Sequence, residues 1–217
     1  MQNDNVKLKK SEPFLELKRK FRKFGSWALW DKDKNYDFDF EDSLEFQIKP
    51  HIVFIGLNAS KELADKKDWA NYHFGSWHYQ KLADVILEKE FSYFKGAYMT
   101  DIIKTSIDSK SKKVDEILEQ DRKNGGNKIK ENMDKIEREI ELLSSISNKK
   151  CLFICIGKCA FKWTKEMIQG DICEVFRYAN YGKEEVKKKI RRDLRKIILN
   201  FDLPRLCRGF SIESESF

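Results

Sequence analysis

The sequence predicts a three-layer α/β domain built on a central parallel sheet of about four strands. Three observations carry this reading. Ile52-Val53-Phe54-Ile55 runs without a polar interruption into Gly56-Leu57-Asn58-Ala59-Ser60. Cys151-Leu152-Phe153-Ile154-Cys155-Ile156 likewise runs into Gly157. Neither run alternates, so both read as strands buried on two faces, as in a parallel sheet. Segments of helical period separate the strand-like runs, which calls for crossover connections. Residues 46–200 are assigned to this domain, residues 1–45 to an N-terminal extension whose one helix packs on it, and residues 201–217 to a tail.

Taken in order, residues 1–10 are polar and read as a frayed end. Pro13 opens a helix over 13–24, with Phe14, Leu17, Phe21 and Phe24 on one stripe, and Gly25 ends it. Residues 26–30 read as a short strand or a turn, and 31–42 as an acidic and aromatic surface loop. The first core strand lies within 44–55, broken at Pro50. A loop follows in which Trp69, Tyr72, His73, Phe74, Trp77, His78 and Tyr79 crowd together.

Residues 80–89 read as a helix with Leu82, Val85 and Ile86 inward. Residues 96–105 form a second strand that ends in a polar loop. Residues 110–127 are charged, with Gly125-Gly126 as a break. Residues 129–145 carry a clear helical stripe in Met133, Ile136, Ile140 and Leu143. After the 151–157 strand come a helix over 159–168, a fourth strand over 172–178, and a basic amphipathic helix over 184–199.

Composition excludes several classes. The 217 residues include 41% hydrophobic and 36% charged side chains, enough apolar material for one core. The 43 basic and 36 acidic residues leave a net charge of +7, which mildly favours a polyanionic partner. No run approaches the ~20 apolar residues of a membrane span, and the N-terminus lacks the apolar stretch of a secretory leader. The five cysteines read as reduced thiols of a cytoplasmic protein. Cys151, Cys155 and Cys159 cannot aim at one point from a single strand, so no metal is expected. Walker, G-x-G-x-x-G and G-x-S-x-G motifs are all missing. The three histidines, His51, His73 and His78, have no metal-ligand spacing.

The order of the strand-end motifs resembles the uracil-DNA glycosylase superfamily over residues 46–200. Gly56-Leu57-Asn58-Ala59-Ser60 is similar to its Gly-x-Asn-Pro-Gly. An aromatic loop follows, then Thr100-Asp101-Ile102-Ile103-Lys104, which is similar to Thr-Asn-x-x-Lys. A glycine and a helix follow the third strand. Phe176-Arg177-Tyr178-Ala179-Asn180-Tyr181-Gly182 stands where that family has His-Pro-Ser.

The resemblance implies hydrolysis of an N-glycosidic bond in single- or double-stranded DNA, by a monomer that uses no cofactor and no metal. Asn58 would position the attacking water, with Gly56 and Leu57 beside it. Tyr72 or Phe74 would stack on the extruded base. Asp101 would read the base edge, and Arg177, Tyr178 and Asn180 would meet the departing base. Ser60, Lys104, Tyr181, Lys183 and Lys187 would contact the DNA backbone, as could the other cations of the last helix.

Two departures shape the expectation. An ionised Asp at 101 accepts hydrogen bonds and cannot donate, so it suits a base bearing an exocyclic amine better than uracil. Arg177 in place of the motif histidine can stabilise an anionic leaving base but cannot shuttle protons. Excision of such a base fits DNA repair or defence against foreign DNA. The residues also have plainer readings: Asn58 and Asp101 as helix caps, the aromatics as core, the lysines as a solvated helix face. A catalytically silent binder of nucleic acid or nucleotide on the same fold is the alternative.

Overall fold

The computed structural model describes residues 11–30, 48–59, 68–69, 77–106, 108, 110–175 and 183–203. In chain order the elements are α1 (Glu12–Phe21), β1 (Ser26–Trp27), β2 (Lys49–Asn58), α2 (Trp77–Ile86) and a 3₁₀ segment (Lys89–Phe94). Then follow β3 (Ala97–Ile103), α3 (Ser111–Lys123), α4 (Lys128–Ser147), β4 (Leu152–Ile156), α5 (Lys158–Met167), β5 (Asp171–Val175) and α6 (Lys183–Asn200).

Among the described residues the sheet has five strands, one more than the sequence suggests, in the order β1-β3-β2-β4-β5. Four of them are parallel, and the two-residue β1 adds an antiparallel edge, pairing Ser26 with Met99 and Trp27 with Tyr98. A strand this short has too few residues to show a pattern. Trp27 holds it by packing its ring edge against Tyr98, with centroids 4.9 Å apart. At the other edge Asp171 and Glu174 of β5 are exposed charges, which discourage pairing with another chain.

Alternation along each strand divides the core into two layers. Val53, Ile55, Leu57, Tyr98, Ile102, Phe153 and Cys155 face α1, α3, α4 and α5. Ile52, Phe54, Ala97, Met99, Leu152 and Ile154 face α2, the 3₁₀ segment and α6. Helices thus cover both faces of the sheet, as its buried strands require.

The first core strand is not broken at Pro50. It runs on to Asn58, because the β2–β3 register slips between Lys49 and Val53 while pairing to β4 begins only at Ile52. Proline sits in that bulge, where its missing N–H costs no ladder bond. Helix α1 stops at Phe21, earlier than Gly25. Gly25 answers a different need, since a Cβ there would lie 1.9 Å from the Tyr98 hydroxyl.

Helix α3 is unforeseen. Among its thirteen residues only Val114 and Leu118 are buried and hydrophobic. Polar contacts to α5 complete its docking. Lys162 Nζ reaches Asp115 at 2.8 Å and Glu119 at 2.6 Å, and the Trp163 indole N–H donates to Asp115 at 2.8 Å.

His51, in the β2 bulge, gives the fold a pH dependence. Burial, with smaller contributions from the Lys149 and Lys49 charges, pushes its imidazole from 6.5 down to about 4. Between these values the unfolded chain binds a proton that the folded chain refuses. The contribution of His51 to stability is therefore fully present above pH 6.5 and is lost as the pH falls toward 4. Urea unfolding is expected to show a loss of up to about 3 kcal/mol across this window. His51→Gln should flatten the profile; an unchanged slope would assign the dependence to other groups.

Candidate functional site

In an open α/β sheet, ligands bind beyond the carboxyl ends of strands where the connections diverge to opposite faces. Here β2 is central, with β3 on one side and β4 on the other. The helix after β2, α2, lies in one core layer, and the helix after β4, α5, lies in the other. The carboxyl ends of β2 and β4 therefore flank the switch point. Asn58 closes β2 there, and Gly157 follows β4 with φ of 91°, a conformation that favours glycine. The Gly157 N–H donates to the Val175 carbonyl at 3.0 Å, joining the ends of β4 and β5.

Asn58 is partly buried, and its amide nitrogen donates both hydrogens to backbone carbonyls: Ala59 at 2.8 Å and Asp108 at 2.8 Å. Both partners are acceptors, so the nitrogen, not the oxygen, must face them. Oδ1 is the group left to act on a ligand. Asn58 is no helix cap; it ties the end of β2 to the segment that follows β3. Asp108 reinforces the tie. Its N–H donates to the Ala59 carbonyl at 3.2 Å, while its carboxylate accepts from the Lys110 N–H at 2.8 Å and pairs with Lys113 at 2.8 Å. The Lys113 ammonium, then the Lys110 N–H, hold the Asp108 carboxyl below its ordinary value, so it is a poor base.

Asp101 lies within β3, two residues before its end, and is only 4% exposed. It is not a helix cap. Strand alternation puts it on the Met99 face, where its register partner on β2 is Gly56. Gly56 contributes no side chain beside the carboxylate. Asn58 stands on that same face, opposite Ile103. Two residues along and one strand across separates Asn58 from Asp101 by about 8 Å at the backbone. Leu57 points the other way, into the α4 layer.

The remaining expected residues fare differently. Lys104, expected at the DNA surface, is interior: its side chain is 1% exposed and its ammonium pairs with Glu139 of α4 at 2.7 Å. Lys187 pairs with Asp84 of α2 at 2.9 Å, which raises its pKa. Its neighbours behave alike, with Arg191 on Glu88 at 2.7 Å and Arg195 on Glu90 at 2.6 Å. Lys187, Arg191 and Arg195 thus fasten α6 to α2, to Glu88 just beyond it and to the 3₁₀ segment. Lys183 is the first residue of α6. Ser60, Tyr72, Phe74, Arg177, Tyr178, Asn180 and Tyr181 lie outside the described residues.

Behind the site the sequence reading missed a buried polar network. The Tyr98 hydroxyl donates to Glu139 Oε1 at 2.8 Å, and the Thr100 hydroxyl donates to the same oxygen at 3.0 Å. Lys104 Nζ also donates to Thr100 Oγ1. Two turns earlier on α4, Asn132 Oδ1 accepts the backbone N–H groups of Lys104 at 2.6 Å and Thr105 at 3.2 Å. One signal was legible: Asn132 and Glu139 fall on the same helical stripe as Ile136 and Leu143.

Among the described residues no group of three or more His, Cys, Asp or Glu is placed to hold a metal ion, and no helix is long and apolar enough to cross a membrane. Burial pushes the Cys155 thiol up to about 12 and the Cys173 thiol up to about 11, which makes both poor nucleophiles. No protein-family model matches the chain, and no curated protein or solved structure is significantly similar to it.

Proposed function

We propose that this protein is a monofunctional DNA glycosylase of the uracil-DNA glycosylase type, acting on a modified, amino-bearing base. The observation that carries the reading is the polarity of Asn58 at the switch point. A water that attacks a sugar carbon must give away a hydrogen and keep a lone pair free. An acceptor holds it that way, whereas a donor would occupy the lone pair. Asn58 commits both N–H groups to backbone carbonyls and keeps its oxygen for the water. In the step itself, the bond from the sugar carbon to the base nitrogen breaks with its electron pair leaving on the base. The water oxygen bonds to the sugar carbon and gives its proton to bulk solvent, and the departed base anion takes up a proton from solvent, so the products are the abasic sugar and the neutral base.

Asp101, whose register partner Gly56 has no side chain, accepts a hydrogen bond from an exocyclic amine. Tyr72 or Phe74 stacks on the extruded base, and the Arg177 guanidinium offsets its developing negative charge. Ser60, Tyr181 and Lys183 contact the DNA backbone.

The experiment is release of free base, detected by mass spectrometry, from DNA carrying uracil, hypoxanthine, cytosine, or hydroxymethylated or glucosylated cytosine. The expected result is release of one amino-bearing base by the wild type, with Asp101→Asn shifting preference toward uracil. An unchanged preference in Asp101→Asn would remove Asp101 from base reading. A second reading, a catalytically silent nucleic-acid or nucleotide binder, is favoured by the backbone ties of Asn58, which give that residue a structural task of its own. DNA binding without release of any base would select it.

A further inference from the structure

We infer that Asn132, on α4 and far in sequence from Asn58, is a positioning residue for it; the inference rests on the glycosylase reading for its rate effect but not for its geometry. Asn132 is wholly buried and uses its full hydrogen-bonding capacity. Its Oδ1 accepts the N–H groups of Lys104 and Thr105 at 2.6 and 3.2 Å. Its Nδ2 donates to the Thr105 hydroxyl at 2.8 Å and to the Lys128 carbonyl in the first turn of α4 at 2.7 Å. Four bonds in four directions leave the side chain no alternative rotamer of equal energy. No other residue of this length supplies two donors and two acceptors.

What Asn132 grips is the chain as it leaves β3. Three residues beyond Thr105, the Asp108 carbonyl receives the Asn58 amide at 2.8 Å. Asp108 is held from its far side by Lys113 of α3, at 2.8 Å. The segment that orients Asn58 is therefore anchored at its start by α4 and at its end by α3. Glu139 strengthens the first anchor through the Lys104 side chain, at 2.7 Å. Loosening the start lets the Asp108 carbonyl move, and Asn58 Oδ1 moves with it. Misplacement by ~1 Å at a reacting group costs about 100-fold in rate. A purely stabilising role for Asn132 would instead leave the Asn58 side chain where it is.

The test follows the Asn58 side-chain amide directly. Its two protons are assigned in ¹⁵N–¹H spectra of the full chain by their loss in Asn58→Ala, and their exchange with solvent is timed. Asn132→Asp keeps the acceptor oxygen and loses both donors. In that variant Asn58 proton exchange is expected to quicken about tenfold or more, since a local tie is released. Base release in single turnover should fall by about 10- to 100-fold, with DNA affinity unchanged.

Thr105→Val changes an exposed residue and removes one acceptor of the Asn132 amide, so it keeps the test open should Asn132→Asp fail to fold. The expected effect is smaller and in the same direction. Unaltered Asn58 exchange and unaltered turnover in either folded variant would overturn the inference. If the wild type releases no base, the enzymatic reading fails, while the exchange rates still decide whether Asn132 positions Asn58.

Discussion

Glu139→Ala is expected to lower the free energy of unfolding by about 3 to 5 kcal/mol, which is a large share of what a domain of this size holds. Glu139 is 0% exposed, and its carboxylate is the common acceptor for Tyr98, Thr100 and Lys104. Truncating it leaves an ammonium group 1% exposed without its counter-charge. Two hydroxyls lose their acceptor in the same step, at about 1 to 3 kcal/mol for each one left unsatisfied. The Tyr98 side chain is fully buried, with Gly25 packed against its hydroxyl.

Removing the whole charge pair should behave differently. Lys104→Met with Glu139→Leu abolishes both charges at similar volume and should recover much of the loss. Adding Tyr98→Phe should recover more. Urea unfolding of the three variants decides the matter. If the paired replacement is as damaging as Glu139→Ala alone, shape rather than uncompensated charge governs this part of the core.

Asn58→Ala is expected to reduce base release by at least about 100-fold, the scale of positioning and proton-transfer effects at a reacting group. The more telling variant is Asn58→Asp. It keeps an acceptor oxygen, yet it turns a carboxylate toward the carbonyls of Ala59 and Asp108, which now accept from the amide at 2.8 Å each. Acceptor faces acceptor, so the side chain must swing away. Asn58→Asp is therefore expected to lose as much activity as Asn58→Ala and about 1 to 3 kcal/mol of stability. Activity near that of wild type in Asn58→Asp would mean that the backbone ties do not set the geometry of the water.

The parts of this fold that could be read from the sequence are those where local chemistry and tertiary setting agree. β2 and β4 are buried on both faces, so they appear as unbroken apolar runs, and the helical stripe of α4 matches its buried side. Asn58 stood out because a single polar side chain follows such a run. Helix α3 could not be seen, since its docking depends on Asp115 and Glu119 meeting Lys162 of a helix more than forty residues away. Pro50 misled for the opposite reason: a strong local breaker falls in a bulge that only the register of neighbouring strands reveals.

The same division runs through the site. Lys104 reads as a surface cation until Glu139 is seen beneath it, and Lys187 until Asp84 is seen beside it. Charge patterning along one segment cannot identify a partner supplied by another. Asp108 gave no signal at all, because its part in the site is played mainly by its backbone carbonyl.

The central claim is that Asn58 directs water onto a glycosidic bond. Alkaline strand cleavage tests it most directly, after incubation of the protein with end-labelled DNA that carries one uracil, hypoxanthine, modified cytosine or cytosine. The account predicts a cut at one base position, produced by the wild type and lost in Asn58→Ala while DNA is still bound. Intact strands for every base, with DNA bound equally by both proteins, would contradict it.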